Sequence, residues 1–287
     1  MLVRLCPVAM APDSALAALN LAVVGHVEWV SFVAVEQLPV AGWIDRATAF
    51  LEEPAGGGAV VAVQLARLSG KRVRFFTSLG RDATGERSAE RLTELGLDLE
   101  VAWRDAPTRR GVSFVDRAGD RSITVIGERL APLARDPLPW ADLAGCDGVF
   151  VTAADAAALQ HCRRARLLGA TPRVGLPLLE ASGVSCDALI GSALDPGEQV
   201  PAGALSRPPR LRIATEGAAG GWSEPGGRFA AQALVAPPVD SYGCGDSFAA
   251  GVMAGLAAGW TVAAAIGLGA RCGAECAVAF GPYARPN

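Results

Sequence analysis

Lysine is nearly absent from this chain. Of its 26 basic residues only Lys71 is a lysine, and the rest are arginines. A Walker-type phosphate loop closes a G-x-x-x-x-G run with Gly-Lys-Ser/Thr, whereas Lys71 sits in Ser69-Gly70-Lys71-Arg72, so that loop is excluded. Histidine is almost as scarce. His26 and His161 are the only two, which excludes a His-rich metal site and a zinc protease. The cysteines, at 6, 146, 162, 186, 244, 272 and 276, are odd in number and contain no C-x-x-C pair. Neither a disulfide framework nor a zinc ribbon fits, and a reducing, cytoplasmic compartment is the expectation. Cys272 and Cys276 lie one helical turn apart, a spacing that can serve a metal but more commonly marks small buried residues. A strong field of one sign is also missing: the formal charge of −3 gives no general attraction for nucleic acid.

Apolar residues make up 51% of the 287 and charged residues 19%, enough for a sizeable core in one large α/β domain or two ordinary ones. Met1–Asn20 has one basic residue and no sustained apolar run, and reads as an extension rather than a signal peptide. Phe248–Ala270 carries no charge and spaces Gly251, Gly255 and Gly259 like a transmembrane dimer motif. Yet Ala and Gly dominate it, and Gly259-Trp260-Thr261 looks like a helix stop followed by a new start. Two small-residue helices inside a protein that does not enter the membrane are expected.

The pattern along the chain alternates. Strands are expected at Leu21–Val24, Trp29–Leu38, Val73–Leu79, Val101–Trp103, Gly111–Asp116, Ser122–Ile126, Gly148–Thr152, Val174–Leu176, Ala188–Ile190 and Leu211–Ala214. Helices are expected at Ala59–Leu68, Glu86–Leu95 and Asp155–Leu168, with a hairpin at Gly226-Gly227. Alternating strands and helices predict an α/β fold with a mostly parallel sheet covered by helices on both faces. The stretches 29–53 and 108–126 have strands without helices, which predicts a small β-sheet appendage.

The run Asp240-Ser241-Tyr242-Gly243-Cys244-Gly245-Asp246-Ser247-Phe248 stands directly before a predicted helix. Backbone amides around Gly243, Cys244 and Gly245 would point at one spot, with a helix N-terminus behind them, forming an anion-binding nest suited to phosphate. Asp246 places a carboxylate beside that anion, as befits a base that takes a proton from an attacking hydroxyl. Its other reading is a helix cap, which does not require the two flanking glycines.

This run resembles the D-T-x-G-A-G-D-x-F signature of the ribokinase-like (PfkB) carbohydrate kinase family, with Ser241 for Thr and Cys244 for Ala. Gly56-Gly57-Gly58-Ala59 resembles the family's first glycine-rich signature, and Gly80-Arg81-Asp82-Ala83-Thr84-Gly85 its G-D-D-x-x-G turn. Thr215-Glu216-Gly217-Ala218-Ala219-Gly220 is similar to its T-x-G-x-x-G nucleotide-binding turn. The four motifs stand in the family's order over roughly residues 21–283. The resemblance implies one ribokinase-like kinase domain over 21–287 with a β-sheet lid. It implies ATP as donor, magnesium, and a sugar or similar small alcohol as acceptor. By the same resemblance Asp246 is the catalytic base, and Gly243, Cys244 and Gly245 form the anion hole. Thr215, Gly217 and Gly220 contact the nucleotide, Ala270 falls near an adenine-contacting position, and Gly57 and Gly58 face the acceptor. Asp240 matches a position that helps build a potassium-like site. Lids of the family often pair between subunits, which implies a homodimer.

Three departures bear on the acceptor and the metal. The family's N-x-x-E motif, which organises water around magnesium, is here Ser192-Ala193-Leu194-Asp195, one methylene shorter at the acid; a bridging water would absorb the difference. Ser192–Asp195 also reads as a plain turn before Pro196-Gly197. An acceptor-reading Asn is replaced by Val60. After the first strand, Glu28 stands where sugar kinases often have Asn and Val30 replaces an Asp, which argues against ribose bound in the ordinary way. Trp29 reads equally as an acceptor contact or as lid core. Thr108-Arg109-Arg110 opens a lid strand, and consecutive arginines on a strand point to opposite faces, so at most one meets the cleft. Arg109 there would hold an anionic acceptor, or either arginine is a solvated lid charge. A nucleoside kinase, or a nucleotide- or metabolite-binding protein with little turnover, are the alternative readings.

Overall fold

A computed structural model of the chain describes residues 13–283. Of the extension expected over 1–20, residues 1–12, including Cys6, lie outside the described residues, as do the last four residues of the chain. The rest of the extension forms a short helix, α1 (Ser14–Ala17), which buries Leu16.

Two sheets organise the chain. Strands β1 (Leu21–Val24), β2 (Glu28–Ala34) and β3 (Ala49–Ala55) precede helix α2 (Gly57–Ser69). Strand β4 (Val73–Gly80), helix α3 (Ala83–Glu94) and strands β5 (Leu97–Arg104), β6 (Arg110–Val115) and β7 (Arg121–Ile126) follow. Strand β8 (Gly148–Val151), helix α4 (Ala156–Cys162), strand β9 (Leu168–Ala170), helix α5 (Leu176–Ser182) and strands β10 (Ala188–Ser192) and β11 (Leu211–Thr215) come next. A hairpin of β12 (Gly221–Glu224) and β13 (Gly227–Phe229) leads to helices α6 (Cys244–Ala257) and α7 (Val262–Ala277).

The large sheet runs β13-β12-β11-β10-β9-β8-β1-β4-β5 and is parallel from β11 to β5. Its central strands β1, β8 and β9 are buried on both faces, and successive residues alternate between the two. Leu21 and Val23 enter the core shared with α2, α6 and α7, whereas Ala22 and Val24 enter the core shared with α4 and α5. Helices α6 and α7 approach closely: a Cβ on Gly251 would come within 2.7 Å of the Gly269 backbone. No described helix is long and apolar enough to cross a membrane.

The small sheet runs β3-β2-β6-β7, within the two stretches that the sequence marks as a β appendage. It lies over the C-terminal ends of the large sheet, and its inner residues Val30 and Phe32 join the main core. Strand β2 ends at Ala34 rather than Leu38, short of Pro39, which has no N–H for a ladder. Strand β3 was not singled out by pattern, and it carries Pro54, tolerated because β3 is a sheet edge.

Two expected elements are corrected. The helix over Asp155–Leu168 stops at Cys162, because Leu168–Ala170 is drawn into the sheet between β8 and β10. The expected strand Val174–Leu176 is instead a 3₁₀ turn, Pro172–Val174, leading into α5. Pro172 and Pro177 both occupy first-turn positions, where their fixed φ suits a helix.

Candidate active site

Strand order reverses at β1, which pairs with β4 on one side and β8 on the other, and such a switch point opens a crevice at the C-terminal strand ends. Most of the residues singled out in the sequence gather there. Gly243 takes φ +79°, which reverses the chain into α6; the first-turn amides have no intrahelical acceptor, and that of Cys244 donates to the Ser241 carbonyl at 3.4 Å. Tyr242 fixes this turn from behind. Its hydroxyl accepts the Gly56 N–H at 3.0 Å and its ring meets Phe32 of the lid edge-on at 4.9 Å, so one buried side chain ties nest, glycine-rich turn and lid together. No pattern in the sequence marks Tyr242 for this role.

Asp246 lies in the first turn of α6 with its carboxylate against the glycine-rich turn: a Cβ on Gly57 would stand 2.9 Å from Oδ1. Burial, then the nearby Glu198 carboxylate, push the Asp246 carboxyl up to about 7. A carboxyl that titrates near neutrality beside an amide nest can exchange a proton with a bound hydroxyl.

Glu28 opens β2 and is buried. Its Oε1 stands 3.3 Å from Arg109 Nε and 3.7 Å from His26 Nε2. Burial raises the Glu28 carboxyl above its usual range, with Arg109 opposing. Of the two lid arginines, Arg109 faces Glu28 and Arg110 is exposed, the alternation expected of a strand. The Gly80–Gly85 turn sets this geometry. Asp82 accepts Gly85 N–H and the Thr108 hydroxyl through Oδ1 and Thr108 N–H through Oδ2, at 2.7–2.8 Å, and so anchors the residue before Arg109. Trp29 is buried under the Arg87 guanidinium, 4.4 Å from its ring centroid, and bonds Glu52, so it is built into the lid's own packing.

At the other end of the crevice Ser192 and Thr215 are register partners on β10 and β11, with Gly217 (φ +58°) and Gly220 (φ +86°) in the turn beyond. Ala270 lies on α7, half-buried. Asp195 accepts the Gly197 amide and pairs with Arg173. Glu198, which the motif spacing did not single out, accepts Arg173 Nε at 2.9 Å and Ser192 N–H at 2.7 Å, and its charge reaches Asp246. Among the described residues no three His, Cys, Asp or Glu side chains form a metal-holding group. The carboxylates fit a hydrated magnesium carried by nucleotide phosphates and reached through water, not one held directly by side chains. Asp240 is buried and accepts the amides of Tyr242 and Gly281 at 2.8 and 3.1 Å, which stitches the chain end to the nest.

The model of the pfkB family carbohydrate kinases matches residues 18–183 and 186–286. A curated relative, ribokinase from Dictyostelium discoideum, is 29% identical over 110 residues, 38% of this chain and 34% of the relative, so the chain spans about a third of the length of that relative. Solved structures share the fold, two of which bear on the acceptor. Arabidopsis thaliana ribokinase, complexed with ribose and ATP, superposes with a TM-score of 0.68 at 19% identity, covering 92% of this chain and 94% of its own. A Methanocaldococcus jannaschii nucleoside kinase gives 0.65 at 16%, covering 92% and 93%.

Proposed function

The chain belongs to the pfkB family of carbohydrate kinases, and from that premise we propose that it moves the terminal phosphoryl group of ATP to a hydroxyl of a small, sugar-like acceptor. The observation that carries this reading is the Asp246 carboxyl, pushed up to about 7 and set at the N-terminus of α6 beside the Gly57 backbone. In this proposal Asp246 takes the proton of the attacking hydroxyl, and the amides of Gly243, Cys244 and Gly245 hold the charge on the transferred oxygens. Thr215, Gly217, Gly220 and Ala270 border the nucleotide, while Glu28, Gly57, Gly58 and Arg109 border the acceptor. Magnesium would supply charge neutralisation on the phosphates, and Ser192, Asp195 and Glu198 would orient its water shell. Asp240, held by two backbone amides, would shape a potassium site by fixing the loops around it. Body and lid act in this reading as one kinase domain in a cytoplasmic setting.

The test is ATP consumption scored across sugars, phosphosugars, sugar acids and nucleosides. Acceptor-dependent turnover supports the kinase; nucleotide binding with no turnover on any acceptor would leave a binding protein, and turnover confined to nucleosides would make it a nucleoside kinase. Within the same panel, Glu28→Ala is expected to weaken acceptor use by ~1–3 kcal/mol, the cost of a lost buried hydrogen-bonding group, with ATP affinity unchanged. Untouched acceptor use, or an equal fall in nucleotide affinity, would return Glu28 to the scaffold.

A lid-to-lid homodimer belongs to the proposal as well. Among the described residues both edges of the small sheet, β3 and β7, lack an outer strand partner, and Phe50, Ile123, Val125 and Ile126 on them are exposed, a combination that proteins usually cover. Light scattering at micromolar concentration is expected to give twice the chain mass, and Val125→Lys to shift it toward the monomer. A wild-type monomer with and without ligands would refute the pairing.

A further inference from the structure

Cys244 stands where the signature has alanine, between Gly243 and Gly245, and a second cysteine meets it there. Cys276 is buried in the last turn of α7. That end of α7 is stitched to the signature run, because the amides of Val239 and Asp240 both donate to the Ala277 carbonyl, at 2.8 and 3.3 Å. The Cys276 thiol donates to the Tyr242 carbonyl at 3.2 Å, which sets its sulfur against the turn that carries Cys244. One turn earlier on α7, a Cβ on Gly273 would stand 3.2 Å from the Cys244 carbonyl oxygen, so this face of α7 packs on Cys244 itself. The two thiols hydrogen-bond each other.

Of the described cysteines, Cys146, Cys162, Cys186, Cys272 and Cys276 are buried, and only Cys244 is partly open to solvent. A small solute therefore meets Cys244 first, with a resolving thiol already beside it. In a reducing compartment such a pair stays free until an oxidant appears, the ordinary setting of a redox-sensing disulfide. The two sulfurs differ in freedom. Cys276 is held in a helix packed hard on α6, where a Cβ on Gly269 would come within 2.7 Å of the Phe248 carbonyl. Cys244 lies between Gly243, at φ +79°, and Gly245, where an added Cβ would meet nothing within 4 Å. An S–S bond of about 2.05 Å is shorter than any thiol hydrogen bond, so closing it moves Cys244 and its turn while α7 stays in place.

We propose that Cys244 and Cys276 are a reversible redox pair, closed into a disulfide by a peroxide and reopened by a dithiol, and that closure switches the site off. One sulfur attacks the O–O bond of hydrogen peroxide and becomes a sulfenic acid, its thiol proton joining the departing hydroxide as water. The other sulfur displaces the sulfenic hydroxyl, which leaves with the second thiol proton as water while the S–S bond forms. Two thiols thereby lose two protons and two electrons, and one peroxide becomes two waters. A dithiol reverses the closure by two exchange steps and ends as its own cyclic disulfide. The switch rests on the kinase reading for the turn's part in the reaction, whereas the pairing of the sulfurs does not. Removing one donor from an anion hole costs ~10²-fold in turnover, so the closed form is expected to be slower by that factor.

The experiment treats the reduced full chain with one equivalent of hydrogen peroxide, blocks the remaining thiols and maps bridges by mass spectrometry of its peptides. Acceptor-dependent turnover, and ATP affinity by calorimetry, are read before oxidation, after it, and after dithiothreitol. The expected result is a Cys244–Cys276 bridge with ~10²-fold lower turnover, recovered in dithiothreitol. Cys276→Ser keeps a donor for the Tyr242 carbonyl. It is expected to match the wild-type rate when reduced and to lose at least about tenfold less of it after the same dose, since no bridge can form. A bridge between other cysteines, no bridge at all, a bridged chain with unchanged turnover, or an equal loss in Cys276→Ser would overturn the proposal. If the reduced chain turns over no acceptor, the kinase reading fails and ATP affinity decides the switch. A drop of about tenfold or more on bridging would then support it, and unchanged affinity would overturn it.

Discussion

Asp246→Asn is expected to cut turnover by at least ~10²-fold, the usual scale for removing a general base, while nucleotide affinity stays as it was. The same variant is expected to be more thermostable than the wild type at pH 8. The Asp246 carboxyl rises from an ordinary 3.8 to about 7 on folding, so the folded chain holds that proton more tightly than the unfolded chain. Stability from this group is therefore full below about 3.8 and is lost as pH climbs through about 7. Asn carries no charge at any pH and removes the loss, so the gap between variant and wild type should be largest at pH 8 and close toward pH 4. Each kcal/mol relieved shifts Tm by ~2–4 °C in a chain of this order of size. Wild-type acceptor kinetics should rise with pH and level off above about 7, and His26, neutral above about 3, adds no limb there. A wild-type rate in the Asn variant would leave Asp246 as a helix-terminal carboxylate with no part in the reaction.

That pairing of lost activity with gained stability separates a site residue from a structural one. A cap in the first turn of α6 would lose stability when neutralised at high pH, because the helix end favours a negative charge. Among the described residues no hydrogen bond lowers the Asp246 carboxyl, and the carboxylate of Glu198 pushes it further up against the charges of Arg121 and Arg173.

The features legible in the sequence are those written in local patterns. The turn into α6 is legible because it needs glycine at Gly243 and a helix directly behind it. Lid strands were readable because strands there follow one another without intervening helices. The two misread elements are short apolar runs, where period alone cannot separate strand from helix. Leu167-Leu168 prolongs a helical pattern, but Leu168 is buried in the sheet. Val174 and Leu176 look like strand residues until the prolines on either side are read as first-turn residues. Glu198, Arg129 and Arg173 were not legible at all. They follow β7, β9 and β10, and only the folded chain, with β9 and β10 side by side, brings Arg173 against Glu198 and Arg129. Tyr242 could have been found: an aromatic between two site residues, next to a turn glycine, has little to pack against except the site itself.

Two adjacent glycines give the second large effect, and they should fail in different ways. Gly57 opens α2 with an ordinary helical φ, so alanine fits the backbone and reduces the freedom of the unfolded chain, which stabilises by ~0.4–1 kcal/mol. Its methyl group, however, would stand 2.9 Å from Asp246 Oδ1 and must push that carboxylate aside. The shift costs the fold little because a side-chain end moves; it costs the reaction much, since displacing a reacting group by about 1 Å loses ~10²-fold. Gly58 differs. A Cβ there would come within 2.6 Å of the His26 carbonyl and 2.9 Å of its amide nitrogen, and that backbone carries β1 into the lid and cannot yield cheaply. Gly58→Ala is therefore expected to lose ~1–3 kcal/mol of stability as an overpacked site. Denaturant melts and acceptor turnover measured on both variants separate the cases. Gly57→Ala should melt at or above the wild type while turning over ~10²-fold more slowly, and equal turnover in a well-folded Gly57→Ala would show that Asp246 does not need its present position.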